Sequence, residues 1–158
     1  MSLEYYPPPA FYFGVEVIGA TPATAGQPPK IDASFQEVSG IRADLGFEEV
    51  TEGGENRFVY RLPKATKYPN LVLKRGFVIK DSSLAEWVIE TVSTKLTLPI
   101  KPKTIKVTLY ATDGQPAAAW SFTNSYPLRW ELGQLNSTDN RVLIETFELS
   151  YAYFERLL

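Results

Sequence analysis

Residues 68–76 read Tyr68-Pro69-Asn70-Leu71-Val72-Leu73-Lys74-Arg75-Gly76. Pro69 and Asn70 open a run too apolar for a loop, Lys74 and Arg75 give it a basic end, and Gly76 breaks it. A polar turn follows, and then helix signals. Asp81, Ser82 and Ser83 offer N-cap oxygens, and Ser83 with Glu86 has the spacing of a capping box. Leu84, Trp87, Val88, Thr91 and Val92 recur at helical spacing as one apolar stripe, with Glu86, Glu90 and Ser93 on the other side. The segment therefore predicts a strand delivered to a helix over 83–95, with Trp87 anchoring that helix to a sheet.

Strand patterns dominate outward from this unit. Phe11, Phe13, Val15 and Val17 alternate with Tyr12, Gly14 and Glu16, which is the period of a half-buried strand. Residues 18–30 then read as a flexible loop, because Ala20–Lys30 is rich in Thr, Pro, Gly and Ala and poor in large apolar groups. A strand is predicted from Ile31 through Phe35 and Val38 to a break at Ser39-Gly40. Arg42–Val50 and Arg57–Leu62 read as a hairpin whose tip is Thr51–Asn56, with Gly53-Gly54 supplying the permissive dihedrals of the return.

Past the helix, Pro99 and Pro102 end the helical region, and Ile105, Val107 and Leu109 alternate with Lys106, Thr108 and Tyr110 before an Asp113-Gly114 turn. Trp120 and Phe122 point inward, Asn124-Ser125-Tyr126-Pro127 interrupts, and Leu128, Trp130 and Leu132 share the next face. The last strand is long, with Leu143, Phe147, Leu149, Tyr151 and Tyr153 on one side. One helix and about eight strands predict a mainly β domain over 1–158, two packed sheets forming a sandwich or an open barrel. The long C-terminal strand has no evident charged or proline guard, so closure by neighbouring subunits is the expected protection of its edge.

At 158 residues and 44% hydrophobic, the chain has enough material for a single core. It contains neither Cys nor His. That excludes disulfides, thiolate nucleophiles, imidazole bases and the usual zinc sites, and no Asp-x-Asp-x-Asp-Gly loop offers a calcium site. The expectation is a protein with no catalytic residue, no cofactor and no metal. No window approaches the length of a membrane span, and Met1-Ser2-Leu3-Glu4-Tyr5-Tyr6-Pro7 has neither the basic region nor the apolar core of a signal peptide, so folding in the cytoplasm is expected.

The net charge of −2 hides a segmented distribution. Residues 1–56 carry −7, residues 57–110 carry +8 and residues 111–158 carry −3. Either solvated strand faces differ in sign, or the molecule has an acidic and a basic surface that meet on copies of itself. Glu48, Glu49, Glu52 and Glu55, with Gly53, Gly54 and Asn56, mark the hairpin as an acidic finger for docking; the bland alternative is an ordinary surface hairpin. Trp120, Tyr126 and Trp130 are candidates for a stacking platform, but their alternation is that of a buried face, so Trp87, Trp120, Phe122 and Trp130 are read as core anchors.

Taken in order, Phe35–Ile41, Glu52–Asn56, Leu62-Pro63, Tyr68–Gly76, the Leu84–Trp87 helix start, Trp120–Trp130 and Val142–Leu149 resemble the tail-tube family of contractile phages and related injection systems. Within it, the likeness is to inner-tube proteins of antifeeding-prophage and virulence-cassette type particles. The motifs are individually soft; their order and spacing span nearly the whole chain, and only Ala20–Lys30 has no place in the pattern.

The resemblance implies a fold similar to the type VI secretion tube protein, homohexameric rings stacked into a hollow tube, and a contractile sheath around it. It also implies baseplate and adaptor partners, an effector or DNA in the lumen, no membrane insertion, and assembly in the cytoplasm as part of a phage tail or a released particle. On that footing the Thr51–Asn56 tip is expected to reach an adjacent ring near Lys64, Lys67, Lys101 or Lys103, with Lys74 and Arg75 also available for subunit contacts. A monomeric carbohydrate-binding β-sandwich and a small-ligand β-barrel are the competing readings.

Overall fold

In a computed structural model, residues 12–19, 31–54, 56–78, 82–94, 97–135, 138 and 141–158 are described. Phe11, the Ala20–Lys30 stretch, Glu55, Asp81 and Lys95 lie outside them. The elements run β1 (Tyr12–Ile18), β2 (Ile31–Ser39), β3 (Asp44–Val50), β4 (Tyr60–Lys67), β5 (Leu71–Gly76), α1 (Ser83–Ser93), β6 (Lys103–Tyr110), β7 (Pro116–Leu132), β8 (Ile144–Ser150) and β9 (Tyr153–Arg156).

A seven-stranded sheet of order β6-β1-β2-β5-β8-β7-β9 is antiparallel throughout, and β6 also pairs with β7. The sheet therefore closes within one chain, where the sequence suggested closure by neighbours. Strand β7 makes this possible through its 17 residues. Its first part, to Ser125, pairs with β6, and from Tyr126 onward it pairs with β8. The exchange of partners falls beside Asn124, whose φ of +53° is tolerated by Asn better than by most residues. The expected strand break at 124–127 is thus a bend inside one continuous strand, held by Ser125 Oγ donating to the Phe122 carbonyl at 3.1 Å.

The core fills this closed sheet. On β5, Leu71 and Leu73 point inward beside Val15, Phe35, Phe122, Phe147 and Leu149, and α1 covers them with Leu84, Trp87 and Val88. The helix begins one residue earlier than its capping-box pattern indicates. Ser82 is the N-cap, accepting from the Ala85 amide at 3.1 Å, so Ser83 does not cap and the Ser83–Glu86 box is not formed. The buried stripe is also shorter than predicted, since Val92 is exposed and the helix buries only Leu84, Trp87 and Val88.

Two parity predictions fail at irregular registers. Leu128 is exposed because a bulge between Pro127 and Arg129 shifts the pairing. Beyond Tyr151, the chain bends at Ala152, so Phe154 rather than Tyr153 packs against the core.

The second sheet is the β3–β4 hairpin, which pairs with no strand of the first. Its return strand extends to Lys67, opposite Asp44, and starts only at Tyr60, so the connection spans residues 51–59 instead of ending at Asn56. Every residue of β4 is exposed, and Leu45 and Phe47, which alternate along β3, are 64% and 52% exposed. The hairpin stands away from the core that would have buried them. At its root, Gly40 has φ +92°, and a Cβ there would overlap the Asn70 carbonyl. Tyr151 Oη donates to the Gly40 carbonyl at 3.0 Å, and the Tyr151 ring packs with Tyr68 and Phe154.

Candidate assembly surface

The hairpin is less an acidic finger than its sequence suggests. Glu48 meets Lys64 at 3.8 Å and Glu49 meets Arg61 at 3.5 Å, so two of its acids are paired across its own ladder. The Arg61 guanidinium also lies 4.8 Å from the centre of the Phe47 ring. What the hairpin presents in quantity is apolar: Leu45, Phe47, Phe58, Val59, Tyr60 and Leu62 are all exposed. Phe58 stands edge-on to Tyr60 at 5.0 Å, which stiffens the end of the arm. Glu52, Gly53, Gly54 and Asn56 are exposed at the tip.

The basic candidates are scattered. Lys64 and Lys67 sit on β4 itself, and Lys74 pairs with Glu37 at 3.0 Å. Arg75 is not a surface contact, because its place on the inward face of β5 buries it. Its Nε donates to Glu145 at 2.9 Å, its Nη2 to Ser82 Oγ at 2.8 Å, and Asp32 lies 3.6 Å from Nη1. Its guanidinium lies 5.0 Å from the Phe35 ring centre and 5.2 Å from that of Phe147.

This internal ion network was missed, although its signal was present. Arg75 shares the parity of Leu71 and Leu73, and Glu145 that of Phe147 and Leu149. Glu145 also accepts from Trp130 Nε1 at 2.8 Å, and Asp32 accepts from the Leu84 amide at the start of α1 at 2.9 Å. Trp87 and Phe122 are buried, and Trp120 and Trp130 pack against the core while partly exposed.

Lys101 and Lys103 belong to a groove of ≈ 520 Å³ at the C-terminal end of α1. Trp87, Glu90, Thr91 and Thr94 of the helix and its C-cap line it, with Gly19, Leu98, Pro99 and Ile100. The Lys103 ammonium lies 5.4 Å from the Trp87 ring centre. Burial lowers its pKa, Glu90 opposes that shift, and Lys101 adds to it. Among the described residues no three or more acidic side chains gather to hold a metal, and no helix is long and apolar enough to cross a membrane.

No curated protein sequence matches the chain. Solved structures do. A chain in the six-fold symmetrised baseplate of the anti-feeding prophage is 25% identical with a TM-score of 0.79, the match covering 99% of this chain and 97% of that one. A chain of the sheath–tube complex of the extracellular contractile injection system PVC, in its extended state, is 20% identical with a TM-score of 0.73 over 99% and 97% of the two chains. Hcp1 from Flavobacterium johnsoniae shares the fold at 15% identity and a TM-score of 0.55, over 93% and 95%. Residues 9–155 match the family model of the T4-like virus tail tube protein gp19, and the chain belongs to that tail-tube family.

Proposed function

We propose that this chain is the non-enzymatic building block of the inner tube of a contractile injection particle or phage tail. Six copies form a ring, rings stack into a hollow tube, and a surrounding sheath drives that tube through a target envelope. The tube meets baseplate and adaptor proteins at its end and carries an effector or DNA in its lumen. Particles are assembled in the cytoplasm, before any release. The observation that supports this reading most is the family match across 9–155 combined with an arm whose apolar side chains are exposed. The six-fold symmetry given for the 25% identical anti-feeding prophage relative is the basis for the ring size.

Apolar area left exposed on an arm is costly in an isolated monomer and is recovered when a neighbour covers it. The carbohydrate-binding alternative is not favoured, because Trp120 and Trp130 lie against the core instead of forming a free platform. Size-exclusion chromatography and negative-stain microscopy of the purified chain provide the test. Six-fold rings or tubes are expected, and a monomer at every concentration tried refutes the proposal.

A further inference from the structure

The arm is joined to the closed sheet only through its root. Among the described residues neither β3 nor β4 pairs with a strand of the seven-stranded sheet. Its direction is therefore set where the chain enters, just past Ser39, and where it leaves, at 68–70. A two-stranded ribbon hung on two chain segments swings unless that root is seated.

Several contacts seat it. The Gly40 Cα faces the Asn70 carbonyl with no room for a Cβ, which brings the incoming and outgoing segments together. The Gly40 carbonyl accepts twice, from the Arg42 amide at 2.9 Å and from Tyr151 Oη at 3.0 Å. Asn70 Nδ2 donates to Glu148 on β8 at 2.8 Å, an exposed contact. The Tyr68 ring, next to the last residue of β4, packs 5.8 Å from Tyr151 and edge-on at 5.7 Å from Phe154.

Tyr151 and Phe154 both come from the chain past β8. After Tyr151 the Ala152 amide donates to the Thr123 carbonyl at 2.9 Å, and β9 then runs along β7 with Phe154 opposite Phe122. These two rings lie 5.7 Å apart, and the fully buried Phe122 is 4.9 Å from Tyr151. Beyond β9, the Leu157 amide donates to the Ala119 carbonyl at 2.8 Å. Phe154 thus bridges the core at Phe122 and the arm root at Tyr68, and the strand that holds it there has 4 residues and pairs with β7 alone. A short strand at the end of a sheet is among the first parts to open.

We propose that β9 is a strap that fixes the direction of the arm. With Phe154 seated between Phe122 and Tyr68, the arm is held at one angle to the closed sheet; when β9 lifts from β7, the arm swings about Gly40 and 68–70. The coupling belongs to a single copy and does not depend on the tube reading. It also works in reverse, because any contact that holds the arm at its seated angle favours β9 in place.

The chain has no native Cys, so a dye pair can be placed by Glu52→Cys at the arm tip and Thr112→Cys in the exposed β6–β7 turn. Time-resolved energy transfer at nanomolar protein, to keep copies apart, gives the spread of tip-to-barrel distances. Phe154→Ala is expected to widen that spread about twofold, and Phe154→Leu, which keeps apolar volume without the ring, to widen it less. Leu84 is a buried residue of α1 whose amide bonds Asp32, near the end of β2 away from Ser39. Leu84→Ala is expected to lower thermal stability and leave the spread at its parent width. A parent-like spread in Phe154→Ala, or in Phe154→Leu where the alanine variant does not fold, overturns the strap. So does a Leu84→Ala spread as wide as that of Phe154→Ala, because the arm would then follow overall stability instead of its seat.

Discussion

Replacing Arg75 by Met isolates the buried ion network, because Met keeps apolar volume between the Phe35 and Phe147 rings while removing the charge. The side chains of Arg75 and Glu145 are each only 3% exposed and meet at 2.9 Å. Removing one partner of such a pair leaves the other charge buried, at a cost of about 3–5 kcal/mol. Asp32 retains the Leu84 amide, so the loss concentrates on Glu145, which keeps only Trp130 Nε1 among its side-chain partners here. Glu145→Gln is milder. One amide oxygen can still accept from Arg75 or from Trp130 while the other donor loses its acceptor, which costs about 1–3 kcal/mol.

Both losses are large against a domain stability of about 5–15 kcal/mol. The assay is urea unfolding followed by tryptophan fluorescence, at one fixed protein concentration because assembly shifts apparent stability by mass action. The expected order is wild type, then Glu145→Gln, then Arg75→Met. An Arg75→Met variant that loses less than about 1 kcal/mol refutes the claim that this network is a high-stakes part of the core.

Two further outcomes concern the root of the arm. Gly40→Ala combines a positive φ with a Cβ placed on the Asn70 carbonyl, so it should cost more than about 2 kcal/mol and lower the yield of folded protein, measured by soluble expression and thermal unfolding. Tyr151→Phe removes the bond to the Gly40 carbonyl and should cost about 1 kcal/mol in urea unfolding. Burial first, and Tyr68 second, raise the Tyr151 pKa above its ordinary 10.0. As pH rises past 10.0 the unfolded chain loses this proton before the folded one does. That part of the stability is therefore complete below pH 10.0 and lost as pH rises through the folded value, and the wild type should show a steeper alkaline fall than Tyr151→Phe.

The parts of the fold legible in sequence are those where one periodicity runs uninterrupted. Leu71 and Leu73, Ile105 and Val107, and Leu84 with Trp87 and Val88 are inward in the structure as their spacing indicates. The misreadings fall where a single residue changes the local geometry. Asn124 turns the backbone so that one strand serves two partners, the bulge at Pro127/Arg129 releases Leu128 to solvent, and Ala152 shifts the inward position to Phe154. None of these changes alters composition, so pattern alone reads through them. The hairpin is a different case. Its alternation of apolar and polar residues is genuine, but alternation says only that two faces differ, and whether the apolar face meets a core or a neighbour depends on tertiary placement.

Charge segmentation shows the same gap between pattern and placement. The −7 and +8 segments suggest surfaces that meet between copies. In the folded chain much of this opposition is internal, because Asp32 faces Arg75, Glu37 faces Lys74, Glu48 faces Lys64 and Glu49 faces Arg61. These pairs join β2 to β5, neighbours in the sheet but distant in sequence, and β3 to β4, the two strands of the hairpin. The exposed ones are worth little in stability, so their clearer effect is on pairing partner and register. The segment totals therefore overstate the charge available for attraction between copies, because each internal pair removes one acid and one base from it.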